Sequence, residues 1–310
     1  MCRAQPVALG APNDDYMTVP PIAGTETVVW LNGRPIDRHA AALSVLDRGF
    51  TLADGVFETM RVARGVIIQL DAHLARLTSA LARLRIPFPP HMEQTVADAT
   101  RVLAERGDDA AVRLTVSRGI GAGVAPVANV EPTCVLTISP FPSNQAATYE
   151  RGLVTVVASG RRNEFAATSG LKTLSYTDAV LTLADARAAG ADDAIMLDTS
   201  GHVSEGVSSN LFIVSHGDVR TPPPTCGILP GITRATVMSL IAVQEGIVVP
   251  SDLAAADELF LTSSLRGIAP VRSVDGSAVG GSVPGPITQR LMAAYGRWID
   301  DAVADYVRDE

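Results

Sequence analysis

The amino-acid sequence predicts a mixed α/β protein of the α+β type, divided into two domains. Short β-rich runs alternate with segments whose apolar residues recur every three or four positions, which indicates both strands and helices. The chain has 310 residues, 47% of them apolar, and at this length a single hydrophobic core usually splits into two. Residues 140–150 have the Pro, Ser and Asn content of a linker. We therefore predict a flexible extension at 1–25, a small domain at 26–142, a linker at 143–151 and a large domain at 152–310.

Antiparallel strands and two helices are predicted for the small domain. The run VVWLNG predicts a strand that ends in an Asn32-Gly33 hairpin turn, and LSVLDRGFTLADGVFETMRVARGVIIQL predicts further antiparallel strands. Leucines spaced three or four apart over 70–84 predict an amphipathic helix that Pro87 stops. A second helix is expected over 91–106, with Gly107 beyond its end, followed by strands AAVRLTVS and TCVLTIS.

The large domain is predicted to alternate strands with helices. Strand LVTVVAS precedes a helix that has Ser175 as its N-cap and ends at Gly190. Strands DAIMLD and SNLFIV come next, followed by a helix from Thr233, strand ELFLT and a last helix from Pro286.

The composition argues against nucleic acid and membrane as partners. Acidic residues outnumber basic ones by 33 to 25, so the formal charge of -8 leaves no general basic surface for a phosphate backbone. No apolar run approaches the roughly 18 residues that span a bilayer, and the N-terminus lacks the features of a signal peptide. Three cysteines without a CxxC pair argue against both a disulfide framework and a zinc site. A cytoplasmic protein without a metal is therefore expected.

One basic residue differs from all the others, because 24 of the 25 are Arg and the single Lys is Lys172. An ammonium loses its proton when it is desolvated and becomes a nucleophilic amine, whereas a guanidinium stays charged. Schiff-base chemistry therefore needs Lys172 rather than any arginine. The alternative is a stray surface lysine in an Arg-biased chain.

The segment TPPPTCGILPGITR is a candidate anion site. Pro230-Gly231 precedes a helix that opens at Ile232 and Thr233, whose free N–H groups point out of the helix N-terminus. With the Thr233 hydroxyl they suit a phosphate monoester, although the same residues also serve simply as a helix cap. Two further places could complete a phosphate cup, or carry ordinary surface charges and turn hydrogen bonds: Arg48 in LDRGF, and the hydroxyls of Thr262, Ser263 and Ser264 at a strand end.

A carboxylate, Glu205, lies between Val203 and Val207 in an apolar strand region. Burying it is unfavourable unless it meets a cation or a protonated ring nitrogen, and pairing with a pyridinium would explain it. The alternative is an exposed hairpin residue, since Ser200-Gly201 is a turn signal nearby.

These pieces together resemble the fold type IV, or class IV, pyridoxal-phosphate (PLP) enzymes. That family includes branched-chain aminotransferases, D-amino acid aminotransferases and 4-amino-4-deoxychorismate lyases. The resemblance covers residues 29–295 and is carried, in the family's order, by LSVLDRGFTLADGVFETMRV, LKTLSY, SEGVSSNLF, LPGITR and ELFLTSSLRGIAPV. It implies a two-domain D-amino acid aminotransferase-like fold with the cofactor, pyridoxal 5'-phosphate, between the domains. It also implies a homodimer with partner residues at the site.

The resemblance implies roles for the candidate residues. Lys172 matches the lysine that bonds to the cofactor aldehyde and moves the substrate proton, and Glu205 matches the carboxylate that keeps the pyridine nitrogen protonated. Tyr176 resembles the tyrosine that hydrogen-bonds the phenolic oxygen of the cofactor. The phosphate cup is matched by Arg48, Ile232, Thr233 and Ser264, and Gly231 and Ser263 are further candidates for binding the cofactor.

The expected reaction is transfer of an amino group between an amino acid or amine donor and a 2-oxo acid through a Lys172 aldimine. The alternative is a 4-amino-4-deoxychorismate lyase that makes p-aminobenzoate and pyruvate, because both reactions use the same lysine. A catalytically idle PLP-fold binding protein is a third interpretation, against which the intact lysine and carboxylate argue. Gly123 and Ala125 stand where D-amino acid aminotransferases carry an Arg and a His. The candidates for binding the substrate carboxylate are Arg266, Arg118 and Arg162.

Overall fold

The computed structural model describes residues 27–125, 130–142 and 145–309. The predicted extension at 1–25 and the first two residues of the predicted linker lie outside the described residues. Two β-sheets organise the chain, one of six strands from its first half and one of nine strands from its second half. The mixed α/β architecture predicted from the sequence is confirmed.

The six-stranded sheet comes from the first half of the chain and is antiparallel throughout. Its strands are β1 (Val28–Leu31), β2 (Arg34–Ile36), β3 (Gly55–Ala63), β4 (Val66–Ile67), β5 (Ala110–Ser117) and β6 (Thr133–Pro140). They lie in the order β2-β1-β6-β5-β3-β4. The predicted hairpin turn is confirmed, since Asn32 and Gly33 have φ values of 49° and 84°, as a tight turn between twisted strands requires.

Three helices belong to this half: α1 (Arg48–Leu52), α2 (Leu70–Leu84) and α3 (Met92–Arg106). Both predicted helices are confirmed, and α3 ends at Gly107 with φ 64°. The short α1 was expected to be part of a strand. It forms because the Asp47 carboxylate accepts a hydrogen bond from the Gly49 amide over 2.7 Å and caps the first turn.

The nine-stranded sheet is mixed. Its strands are β7 (Leu153–Arg162), β8 (Asp193–Asp198), β9 (Val203–Gly206), β10 (Asn210–Ser215), β11 (Asp218–Thr221), β12 (Gln244–Glu245), β13 (Glu258–Ser263), β14 (Gly267–Val274) and β15 (Ser277–Ala278). The order is β12-β11-β10-β13-β14-β7-β8-β9, with β15 paired to β14. Strand β7 runs parallel to both of its neighbours, β14 and β8, whereas β8 and β9 form an antiparallel hairpin.

The helices of the second half are α4 (Gln145–Arg151), α5 (Thr177–Ala188), α6 (Ile232–Leu240), α7 (Pro250–Ala254) and α8 (Pro286–Asp309), with a 3-10 turn at Pro224–Cys226. Two details differ from the sequence prediction. Most of the expected linker is the helix α4, and the N-cap of α5 is Tyr176 rather than Ser175, with no side-chain cap bond. No helix among the described residues combines the length and apolarity needed to cross a bilayer.

Separate hydrophobic cores stabilise the two sheets, and a further one joins them. Trp30 and Met60 are fully buried between the first sheet and helices α2 and α3. The joining core packs Ile68, at the end of the first sheet's β4, against Phe260 of β13 and Leu291 of α8. The cavity described below is lined by residues of both halves of the chain. The predicted domain boundary falls between β6 and β7 and stays a prediction.

Candidate active site

A cavity of about 910 Å³ lies where elements of both sheets meet. Residues of β3, β5, β9 and β13, the segment before α5 and the start of α6 line it. This volume suits a small-molecule ligand. Most of the residues singled out from the sequence line it: Arg162, Lys172, Tyr176, Glu205, Gly231, Ile232, Thr233, Thr262, Ser263, Ser264 and Arg266.

The backbone around Lys172 is held against the first sheet although it belongs to the second half of the chain. The amide of Phe57 donates to the carbonyl oxygen of Lys172, and the amide of Leu174 donates to that of Gly55, each over 3.0 Å. Thr173 forms an isolated antiparallel bridge with Val56 of β3. The lysine thus lies on a short extended segment beside β3, and its side chain lines the cavity.

Burial makes the Lys172 amine easier to deprotonate. The Nζ atom lies 3.4 Å from the Tyr176 hydroxyl and 4.4 Å from the centroid of the Phe57 ring. Desolvation by burial, reinforced by the positive charges of Arg76 and Arg113, lowers the pKa of Lys172 from 10.5 to about 8. The neutral, nucleophilic form of the amine is therefore far more populated near physiological pH than in an ordinary lysine.

Glu205 forms the opposite wall and is buried, with 4% of its surface exposed. One carboxylate oxygen accepts from Arg162 Nη2 over 2.6 Å, and the other accepts from the Leu229 amide at 3.0 Å and from Asn210 Nδ2 at 3.3 Å. Burial raises the pKa of Glu205, and the charge of Arg162 opposes that rise. A buried carboxylate with one such cationic partner can also stabilise a protonated ring nitrogen placed in the cavity.

Several hydrogen-bond donors lie together at the start of α6. Gly231 is the N-cap, and a Cβ there would lie 1.9 Å from the Asn210 Oδ1 atom, so only glycine fits. The amides of Ile232 and Thr233 begin the helix, and Ser263, the last residue of β13, and Ser264 directly after it line the same cavity. The arrangement has the donors that a phosphate group needs.

Two buried hydroxyls at the cavity lack a protein partner. Among the described residues, neither Ser209 Oγ nor Thr262 Oγ1 makes a hydrogen bond. Buried polar atoms are rarely left without a partner. Both atoms are therefore available to a polar ligand bound in the cavity.

Arg76 of α2 is a cavity residue that the sequence did not single out. Its Nη1 donates to the Pro230 carbonyl oxygen over 2.9 Å, which places the guanidinium beside the start of α6. Its Nε and Nη2 bind the two oxygens of buried Glu58 at 2.8 and 2.7 Å, and Glu58 also contacts His73 Nδ1 at 2.7 Å. In the sequence, Arg76 was one of several arginines on the polar face of a helix, and no local signal distinguished it.

The structure corrects two predictions: Arg48, expected at the phosphate, and Arg118, expected at the substrate carboxylate, do not line the cavity. Both bind Asp54, with Nε to Oδ2 distances of 2.8 Å for Arg48 and 2.7 Å for Arg118. Arg48 also donates to the Gly123 carbonyl oxygen, and Arg118 to the carbonyl oxygen of Arg85. Both guanidinium groups thus tie loops of the first half together, outside the lining of the cavity.

The other two predicted substrate residues line the cavity but are already paired. Arg162 binds Glu205, and Arg266 binds the buried carboxylate of Asp193. By contrast, no carboxylate among the described residues forms an ion pair with Arg113 of β5, which also lines the cavity. Its guanidinium carbon lies 3.7 Å from the centroid of the Phe57 ring. Arg113 was missed because an arginine in a strand usually marks only the solvent face.

Comparisons with known proteins agree with this geometry. The model of the family "Amino-transferase class IV" matches residues 55–274. A D-alanine aminotransferase of Bacillus licheniformis is 30% identical over 281 residues, which cover 86% of this chain and 95% of the relative. The solved branched-chain amino acid aminotransferase of Escherichia coli is 30% identical with a TM-score of 0.81, over 86% of this chain and 93% of that one. The solved 4-amino-4-deoxychorismate lyase of Pseudomonas aeruginosa is 34% identical with a TM-score of 0.75, over 86% of this chain and 97% of that one. The chain therefore belongs to the class IV aminotransferase family of enzymes.

Proposed function

We propose that the protein is a pyridoxal-phosphate-dependent aminotransferase that moves an amino group between an amino acid or amine donor and a 2-oxo acid. The observation that carries the proposal is the pairing, in one cavity, of a half-buried amine with a lowered pKa and a buried carboxylate. An anion-binding end lies beside both. Mere binding of an amino acid would need neither the amine nor the carboxylate.

The cavity residues fit this cofactor. The α6 amides, Ser263, Ser264 and Arg76 provide the donors for its phosphate, and Glu205 provides the partner for its ring nitrogen. A bound cofactor would also bring polar atoms close to the hydroxyls of Ser209 and Thr262, which have no hydrogen-bond partner among the described residues. When bound, pyridoxal phosphate supplies an electron-withdrawing ring that stabilises negative charge at the substrate Cα.

The protein's own groups then hold and move protons. Lys172 Nζ would hold the cofactor through its aldehyde, with loss of water, and once freed by the substrate amine it would accept the proton from the substrate Cα. The Tyr176 hydroxyl, 3.4 Å away, orients that nitrogen. Glu205 would hold a proton on the ring nitrogen of a bound cofactor, because Arg162 stabilises the negative charge of the carboxylate. Arg113 is the guanidinium best placed for a substrate carboxylate, since Arg162 and Arg266 already have acidic partners.

The second candidate function is 4-amino-4-deoxychorismate lyase activity. The observation in its favour is the 34% identity to the solved lyase, which lies between the 30% of the solved branched-chain aminotransferase and the 37% of a putative branched-chain aminotransferase of Methanocaldococcus jannaschii. Both candidates use the same amine and the same carboxylate, so the residues described so far do not separate them. The difference must come from the substrate groups around Arg113.

We also propose a homodimer in a reducing, cytoplasmic setting. Apolar side chains are exposed along one stretch around α1: Leu43, Val45, Leu46, Phe50 and Leu52. An apolar surface of this kind favours contact with a second copy of the chain. The cysteines Cys134 and Cys226 are buried and free, which fits a compartment that keeps thiols reduced.

A single-turnover experiment tests the reaction. The purified holoenzyme is mixed with amino donors in the absence of an acceptor, and its absorbance is followed. Conversion of the cofactor to its pyridoxamine form supports the aminotransferase. Release of pyruvate and p-aminobenzoate from aminodeoxychorismate without that conversion would establish the lyase instead. A colourless protein whose spectrum borohydride does not change would overturn the cofactor assignment itself.

A further inference from the structure

Three side chains outside the cavity meet beside the hairpin that joins β8 and β9. They are Asp198, His202 and Cys226, and one potential ligand atom from each lies within 4.8 Å of the other two. None of them has a role in the proposed reaction. We propose that this cluster binds a thiophilic divalent cation of the zinc class, with three protein ligands and one open position.

The hairpin holds Asp198 and His202 in place for a common ligand. The His202 amide donates to Asp198 Oδ1 over 2.8 Å, and the Asp198 amide donates to the His202 carbonyl oxygen over 2.8 Å. The turn is completed by Gly201 with φ 85°. Asp198 Oδ2 then lies 3.2 Å from His202 Nδ1. Two ligands of a tetrahedral zinc ion are about 3.3 Å apart when each is 2.0–2.1 Å from the metal, so this pair already has the required spacing.

Cys226 comes from a different element and is also fixed by its backbone. It ends the 3-10 turn, where its amide donates to the Pro223 carbonyl oxygen over 3.0 Å and its own carbonyl oxygen accepts from Ser204 Oγ at 2.8 Å. Gly227, with φ 75°, redirects the chain directly after it. The thiol therefore faces the hairpin, and only a small side-chain movement is needed to bring its sulfur to a metal bound by the other two residues.

The charge balance of the cluster favours a cation. Asp198 is 3% exposed, and among the described residues it forms no ion pair with Arg or Lys. The carboxylate of Asp198 accepts from the His202 amide and contacts the His202 ring and the Cys226 thiol, but these contacts include no permanent positive charge, which a bound cation would supply. A second carboxylate, Glu164, adds negative charge at the entrance, where its two oxygens bind the Thr199 hydroxyl at 2.6 Å and amide at 3.1 Å. The His202 side chain is 36% exposed and leaves a route from solvent.

The types of ligand atom decide which cation fits the cluster. The cluster offers one sulfur, one ring nitrogen and one carboxylate oxygen. A thiol binds metal as the thiolate, so metal binding releases the thiol proton. The sulfur ligand selects zinc-class ions over Ca²⁺ and Mg²⁺, which prefer oxygen.

The sequence argued against a zinc site because it has no CxxC pair. The proposed ligands come from a hairpin and from a 3-10 turn more than twenty residues further along the chain. Spacing along the chain cannot reveal such a site, because the ligands become neighbours only when the chain folds back.

Metal binding to the holoenzyme tests the proposal. The protein is freed of metal with a chelator, dialysed against micromolar Zn²⁺ and analysed for bound metal. Co²⁺ is then used as a spectroscopic probe, because tetrahedral Co²⁺ absorbs in the red part of the spectrum, where pyridoxal phosphate does not. We expect about one Zn²⁺ per protomer and intense visible Co²⁺ bands.

Matched variants identify the ligands. His202→Gln and Cys226→Ser should each weaken Zn²⁺ binding by at least about tenfold and abolish the Co²⁺ bands. His39→Gln, at an exposed histidine, and Cys134→Ser, at a buried thiol in the other half, should bind as the wild type does. If Cys226→Ser fails to fold, His202→Gln still tests the proposal, because a substitution of this partly exposed side chain should leave the fold intact. No stoichiometric Zn²⁺ in the wild type, or equal binding by His202→Gln, would overturn the proposal.

Discussion

The amide N–H of Phe57 donates a hydrogen bond to the carbonyl oxygen of Lys172 over 3.0 Å. This bond joins β3, in the first half of the chain, to the segment that carries the lone lysine of the second half. The Phe57 ring then lies under the amine, 4.4 Å from Nζ, and contacts the Tyr176 ring edge-on at 5.1 Å. The environment that lowers the pKa of Lys172 is therefore built by both halves together.

Lys172→Ala and Lys172→Arg should both abolish turnover and the borohydride-reducible absorbance band. Arginine keeps the positive charge, but a guanidinium cannot lose its proton to become a nucleophile. Mass spectrometry after reduction should find the cofactor mass on wild-type protein only. Residual turnover or a reducible band in Lys172→Arg would show that another group bonds the cofactor.

The rate at which cofactor-free protein recaptures pyridoxal phosphate should rise with pH and level off above about pH 8. Only the neutral amine attacks the aldehyde, and burial lowers the pKa of Lys172 from 10.5 to about 8. Below that value most of the side chain is protonated and unreactive. Stopped-flow absorbance across a pH series measures the midpoint, with a free lysine derivative as the control that titrates near its ordinary pKa. A midpoint near 10.5 for the protein would contradict the proposed environment.

Glu205→Gln should lower kcat by about 10²-fold or more while cofactor binding through the phosphate is retained. Glutamine cannot stabilise a proton on the ring nitrogen, because it carries no charge, yet it keeps the size of the side chain. Steady-state kinetics measures the change, and Glu93→Gln on the surface of α3 is the matched control. An unaltered kcat in Glu205→Gln would rule out the proposed role.

Arg76→Lys should raise the dissociation constant for pyridoxal phosphate by at least about tenfold, equivalent to about 1.4 kcal/mol. A lysine cannot bind Glu58 through two bonds and still reach the start of α6, as Arg76 does. Arg48→Lys serves as the matched comparison, because Arg48 lies outside the cavity and is bound to Asp54. That variant should lose thermal stability and keep its cofactor affinity. The reverse pattern would restore Arg48 as the phosphate ligand.

Arg113→Met should raise KM for the amino donor by about tenfold and change kcat much less. Methionine keeps the packing against the Phe57 ring and removes the charge that the substrate carboxylate would meet. Arg266→Met is the comparison, since its guanidinium is bound to Asp193. A larger KM effect from Arg266→Met, with folding intact, would move the substrate assignment to that residue.

Much of the fold could be predicted from local patterns. The leucine spacing of α2, the Asn32-Gly33 turn and the glycine after α3 each act within a few residues, so the sequence reveals them directly. Helix α1 was missed because a single Asp47 cap decides it. Most of the segment expected to be a linker is the helix α4. This helix was missed because its polar composition carries no clear helical period.

The candidate site divides in the same way. By itself the sequence determined the chemistry: one residue able to supply a neutral amine, one carboxylate in an apolar strand region and one helix start with free amides. Only the tertiary structure decided which of 24 arginines reach the cavity. Arg76 does so by contacting Pro230, 154 residues away, whereas Arg48 is held by Asp54 six residues away. All guanidinium groups are chemically alike, and their functions differ only through the partners that folding brings within hydrogen-bonding distance.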